Sequence, residues 1–151
     1  MNTEQIIQDI KDKLADRFFE VTIKNNRRAT VGIDPGQILP ISEFLHHSLG
    51  FRFIIATALH TKNGFEIYYH FSKDDTGLLL NIKVILPHHD PEIESLSNMF
   101  NASNWIEREI HELFGINFRN HPNQDKLISE GNWAEGVYPY RNEQLIPEEL
   151  K

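Results

Sequence analysis

Between residues 3 and 86 the spacing of apolar side chains switches between the helical and the strand period, and this succession constrains the fold more than any single motif. Ile6, Ile7, Ile10 and Leu14 recur at helical spacing over residues 3–17, with Thr3 placed to cap and Glu4 at the positive end of the helix dipole. The period then becomes two. Phe19, Val21 and Ile23 alternate with Glu20, Thr22 and Lys24, then Val31 and Ile33 with Thr30, Gly32 and Asp34, and Asn25-Asn26 supplies the turn. Asp34-Pro35-Gly36 closes this unit. A second helix over residues 41–49 aligns Ile41, Leu45 and Leu49 ahead of Gly50. Residues 51–61 are almost continuously apolar, the pattern of a strand buried on both faces. Strands over 65–71 and 78–86 follow the turn signals Asn63-Gly64 and Asp74-Asp75-Thr76-Gly77. The order α-β-β-α-β-β-β predicts an α+β fold, a two-layer α/β sandwich rather than a doubly wound sheet, followed by a C-terminal helix and an extended tail.

The expected core is therefore residues 1–87, and residues 88–151 carry the helix and tail without an independent second core. After the loop Pro87-His88-His89-Asp90-Pro91 and a helical turn over 95–100, a helix fits residues 104–114. Asn104 can cap it, Glu107 follows three residues later, Ile106, Ile110, Leu113 and Phe114 form its stripe, and Gly115 stops it. Beyond residue 116 no period survives, yet Phe118, Trp133, Tyr138 and Tyr140 accompany Leu127, Ile128, Val137, Leu145 and Ile146. Disordered segments are poor in such residues. An extended run with aromatic anchors reads as one that docks on a second polypeptide; the plainer alternative is that it folds back over its own sheet.

Composition removes several function classes. The 151 residues include no cysteine, which excludes disulfides and thiolate-held zinc or iron–sulfur clusters in this chain. Fifteen basic against twenty-two acidic residues give a net charge of −7, the wrong sign for a nucleic-acid binder. No apolar stretch approaches bilayer length, and the first residues are amphipathic and acidic, unlike a signal peptide. The expectation is a cytoplasmic chain that meets a membrane only through a partner. Nucleophile elbows, phosphate loops and dinucleotide fingerprints are all missing. Of the eight histidines, His88 and His89 with Asp90 sit too close along a proline-flanked loop to converge on one ion, and His46 and His47 diverge on a helix. His111-Glu112 lacks the second histidine of a zincin, since Gly115 stands at i+4. Glu109 and Glu112 share a helix face, but with Arg108 and Glu107 they read as a salt-bridge cluster rather than a catalytic dyad.

Residues 104–118, Asn-Trp-Ile-Glu-Arg-Glu-Ile-His-Glu-Leu-Phe-Gly-Ile-Asn-Phe, followed by His121-Pro122, resemble the signature of the 30-kDa subunit family of respiratory complex I, Trp-x-Glu-Arg-Glu-x-x-Asp/Glu-Leu/Met-Phe-Gly-Ile-x-Phe then His-Pro. Phe65-Glu66-Ile67-Tyr68-Tyr69-His70-Phe71 and Asp90-Pro91 match in order and spacing, so the resemblance covers about half of the chain, residues 65–141. Trp133 and Gly136 are in place. Asn123-Gln124-Asp125-Lys126 and Pro139-Tyr140-Arg141-Asn142-Glu143 depart from the family's more basic pattern, although Arg141 remains.

The resemblance implies a hydrophilic, non-catalytic subunit of a complex I-like NADH:quinone oxidoreductase or a membrane-bound energy-converting hydrogenase. It would scaffold the hydrogenase-like large (49-kDa-type) subunit beside the small iron–sulfur subunit, peripheral on the cytoplasmic face of the membrane. It implies no cofactor on this chain, with iron–sulfur clusters and nickel–iron centres belonging to the partners. The implied partner contacts are Trp105, Glu107, Arg108, Glu109, Glu112, Phe114, Gly115, Phe118, His121, Pro122, Trp133, Tyr138, Pro139 and Arg141. The competing reading from another class is a small stand-alone metal-dependent hydrolase using the histidines with Glu109 or Glu112.

Overall fold

In the computed structural model, which describes residues 2–123 and 136–150, the predicted element order is present. Helix α1 (Thr3–Leu14) precedes the hairpin of β1 (Phe18–Asn25) and β2 (Arg28–Ile33). A helical connection containing α2 (Ile38–Glu43) leads to β3 (Arg52–Thr61), β4 (Gly64–Lys73) and β5 (Leu78–Leu86). These strands form a five-stranded sheet ordered β1-β2-β5-β4-β3. It is mixed, since β1 and β2 are antiparallel whereas β2 and β5 are parallel, with Val31 opposite Ile82. The fold is α+β, as expected. Among the described residues no helix is long and apolar enough to cross a membrane.

Packing divides the chain into two units, one of residues 1–57 with 68–84 and the other of residues 58–67 with 85–151. The first buries Ile6, Ile7, Ile10 and Leu14 of α1, Ile38 and Ile41 of α2, and the inward sheet residues Val31, Ile33, Phe71, Leu80 and Ile82. On the other sheet face a row of polar side chains spans four strands: the Thr57 hydroxyl meets His70 Nε2 at 2.9 Å, His70 Nδ1 meets Asn81 Oδ1 at 2.7 Å, and Asn81 Nδ2 donates to Thr30 at 3.4 Å. The second unit contributes the buried apolar residues Phe65, Ile67, Leu86, Ile93, Leu96, Ile110, Ile116 and Phe118. It holds α3 (Asn101–Phe114) and a parallel pair of short strands, β6 (Glu92–Glu94) and β7 (Asn117–Arg119), in which the buried Ile93 and Phe118 are partners. Neither short strand has a periodic signal, because three residues are too few to show one.

Several local expectations are corrected. The first helix stops at Leu14, where Ala15 turns to φ 54°. Its cap is Asn2, whose side chain accepts from the Gln5 N–H at 2.8 Å, because the Thr3 hydroxyl is committed to Asn26 O at 2.7 Å. Asp34-Pro35-Gly36 ends the hairpin as expected, but the second helix does not wait for residue 41. Asp34 Oδ1 accepts from the Gly36 N–H and Pro35 opens a tight helical turn, so helical structure runs over 35–48, with a wide turn at Phe44–Ser48. Residues 51–61 are not buried on both faces. The connection after β2 delivers them to the sheet edge, where Ile54, Ile55 and Leu59 stay exposed, and the doubly covered strand is β4.

Two glycines test the packing. At Gly64, φ is 132° and a Cβ would run into the Leu86 backbone oxygen; at Gly32 a Cβ would stand 2.5 Å from the ring of the exposed Phe19. Gly64→Ala is expected to cost about 2–4 kcal/mol, because the obstacle is backbone. Gly32→Ala should cost less than about 1 kcal/mol, since Phe19 can swing outward. Urea unfolding of the two variants checks the contrast.

Candidate functional site

The motif helix α3 turns Ser103, Glu107, Ile110 and Phe114 inward, while Ile106 and Leu113 are only half-buried. The inward stripe is rotated from the apolar one read in the sequence, and two of its members are polar. Phe100, with no side-chain cap bond, occupies the N-cap position, four residues before the expected cap Asn104.

Glu107 explains the rotation. Its side chain is 0% exposed, and both carboxylate oxygens are supplied with donors. The Ser95 hydroxyl donates to Oε1 at 2.5 Å, and the Leu96 N–H and Ser103 hydroxyl donate to Oε2 at 2.8 Å each. Ser97 extends the cluster through Ser95, and the enclosed ring of His121 has its Nε2 3.9 Å from Oε1. His121 Nδ1 accepts from the Asn123 N–H, which leaves the Nε2 proton to Asn104 O at 3.0 Å. Burial pushes the Glu107 carboxyl above its ordinary 4.5, while the Ser95, Leu96 and Ser103 hydrogen bonds and His121 pull it down. Glu107 thus fastens the 95–97 turn to α3 from inside.

At its other end α3 presents carbonyls with no partner inside the helix. Gly115, at φ 77°, turns the chain and returns its N–H to His111 O at 2.8 Å. The closing segment then supplies two donors, the Tyr140 N–H to Leu113 O at 3.0 Å and Arg141 Nε to Phe114 O at 2.6 Å. A cation suits the negative end of a helix dipole. The guanidinium carbon lies 5.1 Å from the Phe65 ring centre and 4.7 Å from that of Tyr138. A Cβ on residue 115 would meet the Tyr138 ring at 2.6 Å and Arg141 Nη2 at 2.8 Å, so this docking requires glycine there.

The residues singled out in the sequence therefore separate. Glu107, Glu112, Phe114, Phe118 and the His121 ring face their own chain. Tyr138, Pro139, Arg108, Glu109, Gly115 and Arg141 are half-buried, and Pro122 is exposed. Tyr138 and Arg141 dock on α3, so this part of the tail finds contacts within its own polypeptide. Trp105 is 68% exposed and Tyr140 60%, with Val137 also outward. Trp133 lies outside the described residues. The histidines do not gather around Glu109 or Glu112. His111 Nδ1 bonds Ile116 O at 2.9 Å, and His60 and His88 bond one another at 2.9 Å. Among the described residues, no three histidine, aspartate or glutamate side chains come together as a metal-binding group. Ser95, Ser103, His60 and Asn142 escaped the sequence reading, since their partners lie far along the chain or on irregular backbone.

Glu107→Ala strands three donors and is expected to cost roughly 3 kcal/mol in urea unfolding. The charge itself has a signature. Because the folded carboxyl holds its proton more tightly than the unfolded one, it adds stability as pH falls from its raised pKa toward 4.5 and withdraws it as pH rises. Glu107→Gln should lack that component when its stability–pH curve is subtracted from that of the unmodified chain.

Residues 31–149 match the family model described as respiratory-chain NADH dehydrogenase, 30 Kd subunit. An F(420)H(2) dehydrogenase subunit of Methanosarcina mazei is 30% identical over 146 residues, covering 95% of this chain and 92% of that one. An NADH-quinone oxidoreductase subunit of Citrifermentans bemidjiense is 26% identical over 129 residues, covering 83% and 80%. In the C/D-type NADH-quinone oxidoreductase subunit of Cronobacter sakazakii the identity is 27% over 162 residues, covering 95% of this chain and 26% of the longer one. A chain of the membrane-bound sulfane sulfur reductase, an archaeal respiratory membrane complex, shares the fold with a TM-score of 0.76 at 23% identity, covering 91% of this chain and 82% of that one. With the predicted signature helix in place and the family match spanning most of its length, the chain belongs to the 30-kDa subunit family of the respiratory-chain NADH dehydrogenase.

Proposed function

We propose that this subunit of a complex I-like or related membrane-bound complex is a non-catalytic scaffold. It holds the hydrogenase-like large subunit in place beside the small iron–sulfur subunit. Electron transfer then runs through iron–sulfur clusters, with or without nickel–iron, on the partners, while this chain binds no cofactor and sits on the cytoplasmic face of the membrane. The observation that carries the reading is the division of labour on the motif helix. Its charged and aromatic inward residues are consumed by the chain's own packing, whereas Trp105, the largest side chain of the motif, projects outward at 68% exposure. Exposed tryptophan and tyrosine are the residue types that anchor protein interfaces. In the C/D-type relative of Cronobacter sakazakii the stretch similar to this chain is about a quarter of one longer polypeptide, which supports a close polypeptide neighbour for this subunit. The absence of cysteine from the sequence agrees with the assignment of the clusters to other chains.

The test is co-expression with the candidate large subunit and recovery through a tag on this chain. Trp105→Ala combined with Val137→Asp should lower the recovered partner by about tenfold or more, the effect of losing ~1.4 kcal/mol of binding. Urea unfolding of the isolated variant should stay within about 0.5 kcal/mol of the unmodified chain, because both side chains are exposed. Undiminished recovery of the partner would remove the outward face of α3 and the 136–146 segment from the interface.

A further inference from the structure

The second unit contains a row of hydrogen bonds that the scaffold role does not call upon. The Asn142 N–H donates to His60 Nδ1 at 3.0 Å, His60 Nε2 meets His88 Nδ1 at 2.9 Å, and His88 Nε2 meets Lys62 O at 3.0 Å. Its direction is fixed by its two ends. A backbone N–H only donates, so His60 Nδ1 is bare and the ring carries its proton on Nε2. A carbonyl only accepts, so His88 also carries its proton on Nε2 and receives His60 on Nδ1. All four ring nitrogens are engaged with one proton per ring.

A second proton on either ring has no acceptor. On His60 Nδ1 it would confront the Asn142 N–H, and on His88 Nδ1 it would confront the His60 N–H. The row also ties together distant parts of the unit: His60 from the end of β3, His88 from the loop after β5, and Asn142 from the closing segment. We infer that His60 and His88 form a proton-operated clasp that holds Asn142 and the segment around it onto the end of β3 while both rings are neutral, and lets go when either ring is protonated.

The surroundings set the direction of the response. His60 stacks on Phe65 with ring centres 4.2 Å apart, and its other charged or titratable neighbours are His88, Arg141 and Glu143. Burial, then His88, then the Arg141 cation push the His60 pKa below 6.5, against a smaller opposing pull from Glu143. Beside His88, the exposed His89 and Asp90 pair with each other at 3.1 Å. The folded ring thus holds a proton less tightly than an unfolded histidine. The clasp's contribution is complete above the unfolded pKa of 6.5 and is lost as pH falls through the lower folded value.

The isolated full chain suffices for the test, so its outcome is separate from that of the partner experiment. Hydrogen exchange of residues 136–146, corrected for the intrinsic pH dependence, should accelerate by about tenfold or more between roughly pH 7.5 and pH 5, while the centres of β4 and α3 keep their protection. His60→Gln and His88→Gln should each abolish most of that pH response. In the unmodified chain, ring-nitrogen NMR should find both imidazoles protonated on Nε2 alone at the higher pH. A change in segment exchange below about twofold, the same response in both variants, or either ring protonated on Nδ1 at the higher pH would overturn the proposal.

Discussion

A carboxylate taken wholly out of water costs several kcal/mol unless hydrogen-bond donors follow it inside. In this chain they do. Ser95, Leu96 and Ser103 all aim at Glu107, and much of the second unit's irregular structure is the consequence. The turn at 95–97 has to sit against α3 to deliver its donors. Residue 103 has to be small and hydroxylated one helical turn ahead of the carboxylate. The chain after β7 has to bring His121 back toward the same helix, where its Nε2 proton meets Asn104 O. A hydrophobic residue at 107 would ask for none of this, and the 95–103 segment would lose the directional bonds that fix its path.

The opposite end of α3 follows the same logic with backbone acceptors. The carbonyls of Leu113 and Phe114, left over at the helix end, draw in Tyr140 and Arg141, so the closing segment acts as a detached cap for the helix it follows by more than twenty residues. Glycine at 115 serves two needs at once, since its positive φ ends the helix and its missing side chain admits the Tyr138 ring. An aromatic tail can therefore be anchored to its own chain and still present Val137 and Tyr140 outward.

What the sequence disclosed and what it withheld follow from the range of each interaction. β5 occupies residues 78–86 as expected, and the chain turns between β1 and β2 at Asn25-Asn26 and between β3 and β4 at Asn63-Gly64, because period and turn chemistry are local properties. The resemblance at 104–122 located the family from one helix and its exit. Position within a sheet is not local: the apolar run of β3 looks like a buried strand, yet the chain path leaves it at an edge. Likewise Glu107 three residues after Asn104 satisfies a capping pattern, but donors from 95, 96 and 103 take it into the core instead. His60 and His88, 28 residues apart, had no spacing to betray them.

Two histidine rows among the described residues, one through His70 and one through His60, show why partner chemistry, rather than the imidazole alone, decides what a proton can do. His70 lies between Asn81 Oδ1 and the Thr57 hydroxyl, and a hydroxyl can turn to accept a bond it formerly donated. That row survives either protonation state of the ring. His60 lies between a backbone N–H and a second imidazole whose far nitrogen is already committed to a carbonyl, so none of its partners can reverse. The same side chain is therefore a passive strut across one sheet face and a directional link at the end of β3, and the difference lies in what stands at the two ends of each row.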